Sequence, residues 1–112
     1  MGKFVKGDIV VVPFPFSDLS MSKRRPALVL VLVDLKGADL ILCQITSQSI
    51  RDDMAISIDL TDIDNGALNT VSNARPNKLF TADENIVLYQ IGRLKNDKLS
   101  VVISKVVDMF QS

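Results

Sequence analysis

The sequence predicts a mainly β protein: a small, barrel-like antiparallel sheet with one amphipathic helix at its C-terminal end. Two observations carry this. Short runs rich in Val, Ile and Leu recur from residue 8 to residue 94, punctuated by Pro, Gly and Asn. Only the last segment changes to the period of a helix face. At 112 residues, the whole chain, 1–112, is expected to be a single domain.

Residues 8–12 (DIVVV) form a first β-branched run, closed by Pro13 and Pro15, which cannot continue a ladder. Phe14 to Lys23 then reads as a loop over a sheet edge. Residues 27–33 (ALVLVLV) are continuously apolar, as expected of a central strand buried on both faces. Lys36-Gly37-Ala38-Asp39 supplies a turn, and residues 40–45 (LILCQI) run back to make a hairpin. Residues 55–60 alternate, with Ile56, Ile58 and Leu60 on one side and Ser57 and Asp59 on the other. Asn65-Gly66 marks a turn, and residues 78–81 and 86–94 are further short strands, Tyr89 and Gln90 among them. At the end, Leu99, Val102, Ile103, Val106, Val107 and Phe110 share one helix face. Asn96 is the expected cap, with Asp97 suited to the positive helix end.

Hydrophobic residues make up 47% of the chain and charged residues 23%, the composition of a folded rather than a disordered chain. That apolar fraction is high for so small a body and suggests a self-association surface. Thirteen basic residues balance 13 acidic ones, so any nucleic acid must be held by a local patch rather than a global field. Lys23-Arg24-Arg25 is the obvious one. The acidic run from Asp52 to Asp64 reads as a solvated loop and strand face. There is no His, and the lone Cys43, set in an apolar run, reads as a buried inert thiol; zinc is not expected. No leader pattern or membrane-length apolar run is visible, so a cytoplasmic protein is expected.

Four stretches carry a resemblance. They are Lys6-Gly7-Asp8-Ile9-Val10-Val11-Val12-Pro13-Phe14-Pro15-Phe16, then Lys23-Arg24-Arg25-Pro26-Ala27-Leu28-Val29-Leu30, then Gln44-Ile45-Thr46-Ser47, then Ser72-Asn73-Ala74-Arg75-Pro76-Asn77-Lys78-Leu79-Phe80-Thr81. In this order they resemble the MazF/PemK-like toxins of type II toxin–antitoxin systems, over nearly the whole chain. The resemblance implies a small SH3-like antiparallel β-barrel with a C-terminal amphipathic α-helix, working as a homodimer. It implies a sequence-specific endoribonuclease that cleaves single-stranded RNA by 2′-hydroxyl attack, without metal or cofactor, under the control of a cognate antitoxin protein. A sibling branch of the same fold poisons DNA gyrase by binding it, so a non-catalytic binding module is the alternative.

Arg25 is the first catalytic candidate. Its planar guanidinium matches phosphate oxygens and stays charged at any cellular pH; the plain alternative is a solvated Arg guarding a strand end. Thr46 is the second, since hairpin pairing brings it to the same end as Arg25; its alternative is to satisfy a turn. Lys23, Arg24, Ser47, Arg75, Asn77 and Lys78 are expected to contact RNA. Phe14 and Phe16 suit either base stacking or closing the barrel end. Some members of the family carry an Asp two residues after the Arg of the R-P element as general base. Here Asn77 stands there, and an amide is no base at neutral pH. Another carboxylate, with Asp18 the guess, or Arg25 itself would have to move the proton.

Overall fold

The structure, a computed structural model, describes residues 3–14, 23–33, 38–48 and 51–112; the side chains of Phe14 and Lys23 fall outside that description. The expected loop after Phe14, with Phe16 and Asp18, and most of the turn before Asp39 therefore lie outside the described residues. Among the described residues seven strands, β1 (Asp8–Phe14), β2 (Lys23–Val33), β3 (Asp39–Thr46), β4 (Ile56–Ile58), β5 (Ile63–Asp64), β6 (Ser72–Asp83) and β7 (Tyr89–Leu94), precede one helix, α1 (Asn96–Gln111). The strands form one sheet in the order β4-β6-β3-β2-β1-β7-β5. Every described pairing is antiparallel. The sheet curls into a half-barrel, the mainly β architecture expected from the sequence.

The period of two explains why both faces are apolar. On one face Ile9, Leu28, Cys43, Ile45 and Ala74 meet Leu99 and Val102 of α1. On the other, Val10, Val12, Ala27, Val29, Leu40, Leu42 and Ala82 pack with Phe4, Phe80 and Val87. Each fully buried Val or Leu here contributes about 1.5–3 kcal/mol relative to leaving it in water.

The prolines did not end strands as expected. Pairing of β1 with β7 stops at Val11, so Pro13 continues β1 where one side of the ladder is vacant. The described β2–β3 pairs begin at Ala27, one residue past Pro26, so β2 starts earlier than the apolar run. A missing N–H costs little where no partner accepts it. The turn at Asn65-Gly66 is as expected, with φ of 54° and 155°. A Cβ on Gly66 would lie 1.9 Å from the Ile91 carbonyl oxygen, so only glycine lets this turn press against β7.

Five other expectations change. Val31 and Leu32 are 43% and 40% exposed, so β2 is buried on both faces only in its middle. Leu60 leaves the alternation for a single 3-10 turn, Leu60–Asp62, and Ile86 does so in Glu84–Ile86. The helix cap is Lys95, with extended backbone and no side-chain hydrogen bond, rather than Asn96. Val107 and Phe110, the latter 73% exposed, extend beyond the sheet that covers Leu99 and Val102, so the helix stripe outruns its core.

Candidate functional site

The second face changes character along its length. Leu42, Gln44 and Thr46 alternate onto it from β3, and the described register pairs Ala27 with Gln44. Two residues further along each strand, beyond the last described β2–β3 pair, stand Arg25, which pairs with Val12 of β1, and Thr46. On the far side of β3, Gln44 pairs with Arg75 and Thr46 with Asn73. Directly paired residues share a face. Arg25, Gln44, Thr46, Asn73 and Arg75 therefore make a polar end on a face whose other half is aliphatic. Strands about 4.8 Å apart and a rise of about 3.4 Å per residue put the Cα atoms of Arg25 and Arg75 roughly 12 Å apart. Two guanidinium arms reaching inward can grip one phosphate across that gap.

Thr46 is only 6% exposed, and its Oγ1 accepts the Gln48 backbone N–H at 3.1 Å. It thus fulfils the turn role, which also fixes its rotamer. A hydroxyl that accepts one bond keeps its hydrogen for donation, which is what a phosphate oxygen needs.

Arg75 owes its setting to an irregularity. Cys43 and Gln44 are consecutive on β3, while their partners on β6 are Leu79 and Arg75, so Pro76, Asn77 and Lys78 bulge out of the ladder. Pro76 is buried; Asn77 and Lys78 are exposed. Arg75 donates from Nε at 3.3 Å and from Nη2 at 3.2 Å to Oδ2 of Asp52. The other oxygen, Oδ1, accepts the Met54 backbone N–H at 3.0 Å. That backbone bond, followed by the side chains of Arg75 and Asn77, holds the Asp52 carboxyl below its ordinary range. Asp52 is therefore an ion-pair partner rather than a solvated acid, a correction to the reading of the acidic run.

The other candidates are spread more widely. Alternation turns Arg24, which is exposed, to the face opposite Arg25. Ser47 is exposed just past β3 and, with Pro26, Leu68, Ser72, Tyr89 and Ile91, lines a cavity of about 420 Å³ on that opposite face. The backbones of Phe14 and Lys23 form the last pair of the β1–β2 ladder. Cys43 is buried, and desolvation pushes its thiol up to about 12. Among the described residues no group of three His, Cys, Asp or Glu side chains could hold a metal. No helix there is long and apolar enough to cross a membrane.

A family model of the PemK-like, MazF-like toxins of type II toxin–antitoxin systems matches residues 5–110. The chain belongs to that family. Among solved structures, this toxin is similar to the Deinococcus radiodurans MazE-MazF complex, at a TM-score of 0.74 and 19% identity over 95% of this chain and 94% of that one. The Mycobacterium tuberculosis toxin MazF-mt6 follows at 0.70 and 18%, covering 93% and 96%. A mycobacterial endoribonuclease in complex with its cognate antitoxin gives 0.73 at 8% identity, covering 96% and 95%. None of the curated proteins matches the toxin in sequence. At these identities the likeness is one of fold; the family match spans the polar end of the sheet from Arg25 to Lys78.

Proposed function

We propose that this toxin is a sequence-specific, metal-independent endoribonuclease acting on single-stranded RNA. The reading is supported by the strand register: Ala27 pairs with Gln44 and Gln44 with Arg75, and alternation carries Arg25 and Thr46 to the same face and the same end of the sheet. In the reaction the ribose 2′-oxygen bonds to the adjacent phosphorus as its proton leaves. The bond from phosphorus to the 5′-oxygen then breaks, and that oxygen takes up a proton. A cyclic phosphate and a 5′-hydroxyl result. Negative charge builds on the nonbridging oxygens, and preorganised donors aimed at them are worth most in a site partly walled by apolar side chains. Arg25 supplies the two-pronged donor, Thr46 a hydroxyl held in one rotamer by the Gln48 N–H, and Arg75 a second cation.

Lys23, Asn77 and Lys78 contact the RNA beside the cut, Arg24 and Ser47 on the opposite face hold its backbone further along, and Phe14 and Phe16 stack on its bases. Exposed Val101, Val107 and Phe110 on α1 support assembly as a homodimer. The cognate antitoxin, an acidic peptide with a disordered tail, competes with RNA for the basic end of the sheet in the cytoplasm. Incubating the purified toxin with single-stranded RNA in EDTA tests the reading, with cyclic-phosphate and 5′-hydroxyl ends expected. Cleavage that needs added Mg²⁺ or Zn²⁺ would overturn it, and RNA binding without cleavage would leave a non-catalytic module.

A further inference from the structure

We propose that Asp52 is a positioning residue of this site: its carboxylate grips Arg75 by the Nε–Nη2 edge and turns the remaining N–H donors toward the scissile phosphate. The inference rests on the nuclease reading above. Asp52 lies in the connection before β4, and its side chain is 9% exposed against 22% for Arg75. One oxygen, Oδ2, takes both Arg75 donors, while Oδ1 is tied to the Met54 N–H. The Asp52 backbone carbonyl also accepts the Ala55 N–H at 3.0 Å, so the residue is fixed to its own turn at two points, one of them through the carboxylate.

Arg75 needs such a hold. It stands where β6 leaves the ladder, with Pro76, Asn77 and Lys78 bulging beside it, and its Cα register alone does not orient a long side chain. A guanidinium has more donors than one carboxylate edge can use. Among the described residues Nε and Nη2 are engaged by Asp52, and Arg75 shares its face of the sheet with Gln44, so its remaining donors are what the site can offer a phosphate. Holding a flexible cation in place before substrate arrives removes an ordering cost from the reaction. The contacts to Met54, Arg75 and Asn77 that keep Asp52 ionised also make it a poor proton acceptor, which favours positioning over general base. The carboxylate thus compensates for Asn77 by geometry rather than by replacing a base.

Asp52→Asn is the informative variant, because the amide oxygen still accepts the Met54 N–H while its NH₂ group opposes the Arg75 donors. Cleavage by Asp52→Asn, Arg75→Ala and the double variant is measured under saturating and limiting RNA, with thermal unfolding alongside. We expect kcat to fall at least about tenfold in Asp52→Asn. The double variant should match Arg75→Ala within about twofold, because the two residues act as a unit. A carboxylate acting as base, or one that merely folds the loop, gives additive losses and overturns the proposal; so does wild-type turnover in Asp52→Asn. Should Asp52→Asn unfold, Asp52→Glu serves, and it should recover rate in proportion to a restored Arg75 contact. The Arg75 Nε–H resonance provides a readout independent of cleavage. It should be sharp in the wild type, should shift on adding RNA with a 2′-deoxy scissile nucleotide, and should be averaged in Asp52→Asn. A wild-type chain that cuts no RNA but behaves this way would end the nuclease reading and leave the pair as a phosphate grip. An Arg75 signal indifferent to both RNA and Asp52 would end the proposal itself.

Discussion

Arg93, near the end of the last strand, donates from Nε at 2.9 Å to Oδ1 of Asp8, at the start of the first. Asp8 is 1% exposed and accepts also from the Gln90 amide at 3.1 Å and the Val5 N–H at 2.8 Å. A buried carboxylate with a cation and two further donors ties β1 to β7 where the sheet curls. Asp8→Ala should lower stability by about 2–4 kcal/mol, since it strands these donors and opens a polar hole. Urea unfolding at unchanged m-value measures it; a midpoint equal to wild type would show that the pair adds nothing.

Arg25→Ala should retain the wild-type melting temperature but lose about 10²–10³ in turnover, the usual cost of one preorganised donor. Arg25→Lys should recover little, because an ammonium lacks the fork. Thr46→Ala should lose less rate, and also about 0.5–1.5 kcal/mol of stability, since it frees the Gln48 N–H. Near-wild-type cutting by Arg25→Ala at saturating RNA would remove Arg25 from the reacting centre.

Arg24→Ala should behave differently, because alternation sends Arg24 to the opposite face. Turnover at saturating RNA should hold, while affinity falls and the slope of log K against log salt flattens by about one. Loss of turnover comparable to Arg25→Ala would mean that the two side chains serve one site.

For Asp52, the folded-state carboxyl sits below its ordinary value of 3.8, so the folded state binds its proton less readily than the unfolded chain. Its stabilising contribution is therefore complete above that value and disappears as pH falls through the folded pKa. The stability gap between wild type and Asp52→Asn should be constant near neutrality and narrow in acid. A gap that widens on acidification would reverse the assigned direction.

Cys43, with its thiol pushed up to about 12 inside the sheet, should resist alkylation in the native toxin at pH 8 and react only after unfolding. Rapid labelling of the folded protein would show that β3 opens locally.

The alternation of Val, Ile and Leu, the helix-period stripe and the R-P elements were enough to read the β class, the hairpin of β2 and β3, the closing helix and the family. These are local signals: side-chain period decides which face each residue takes, and turn residues decide where the chain reverses. That Arg25 and Thr46 belong to the same end of the β2–β3 hairpin was legible because hairpin pairing is itself nearly local. Asp52 was not, since its partner lies 23 residues away, beyond β4 and β5, and nothing in a string of acids distinguishes the paired one from the solvated ones. The ends of β1, β2 and β6 were misplaced for a related reason. A proline ends a strand only if a neighbour on that side requires its N–H, and which neighbour exists is decided by sheet order. The exposure of Val107 and Phe110 likewise follows from where the sheet ends, a limit that the helix period does not contain.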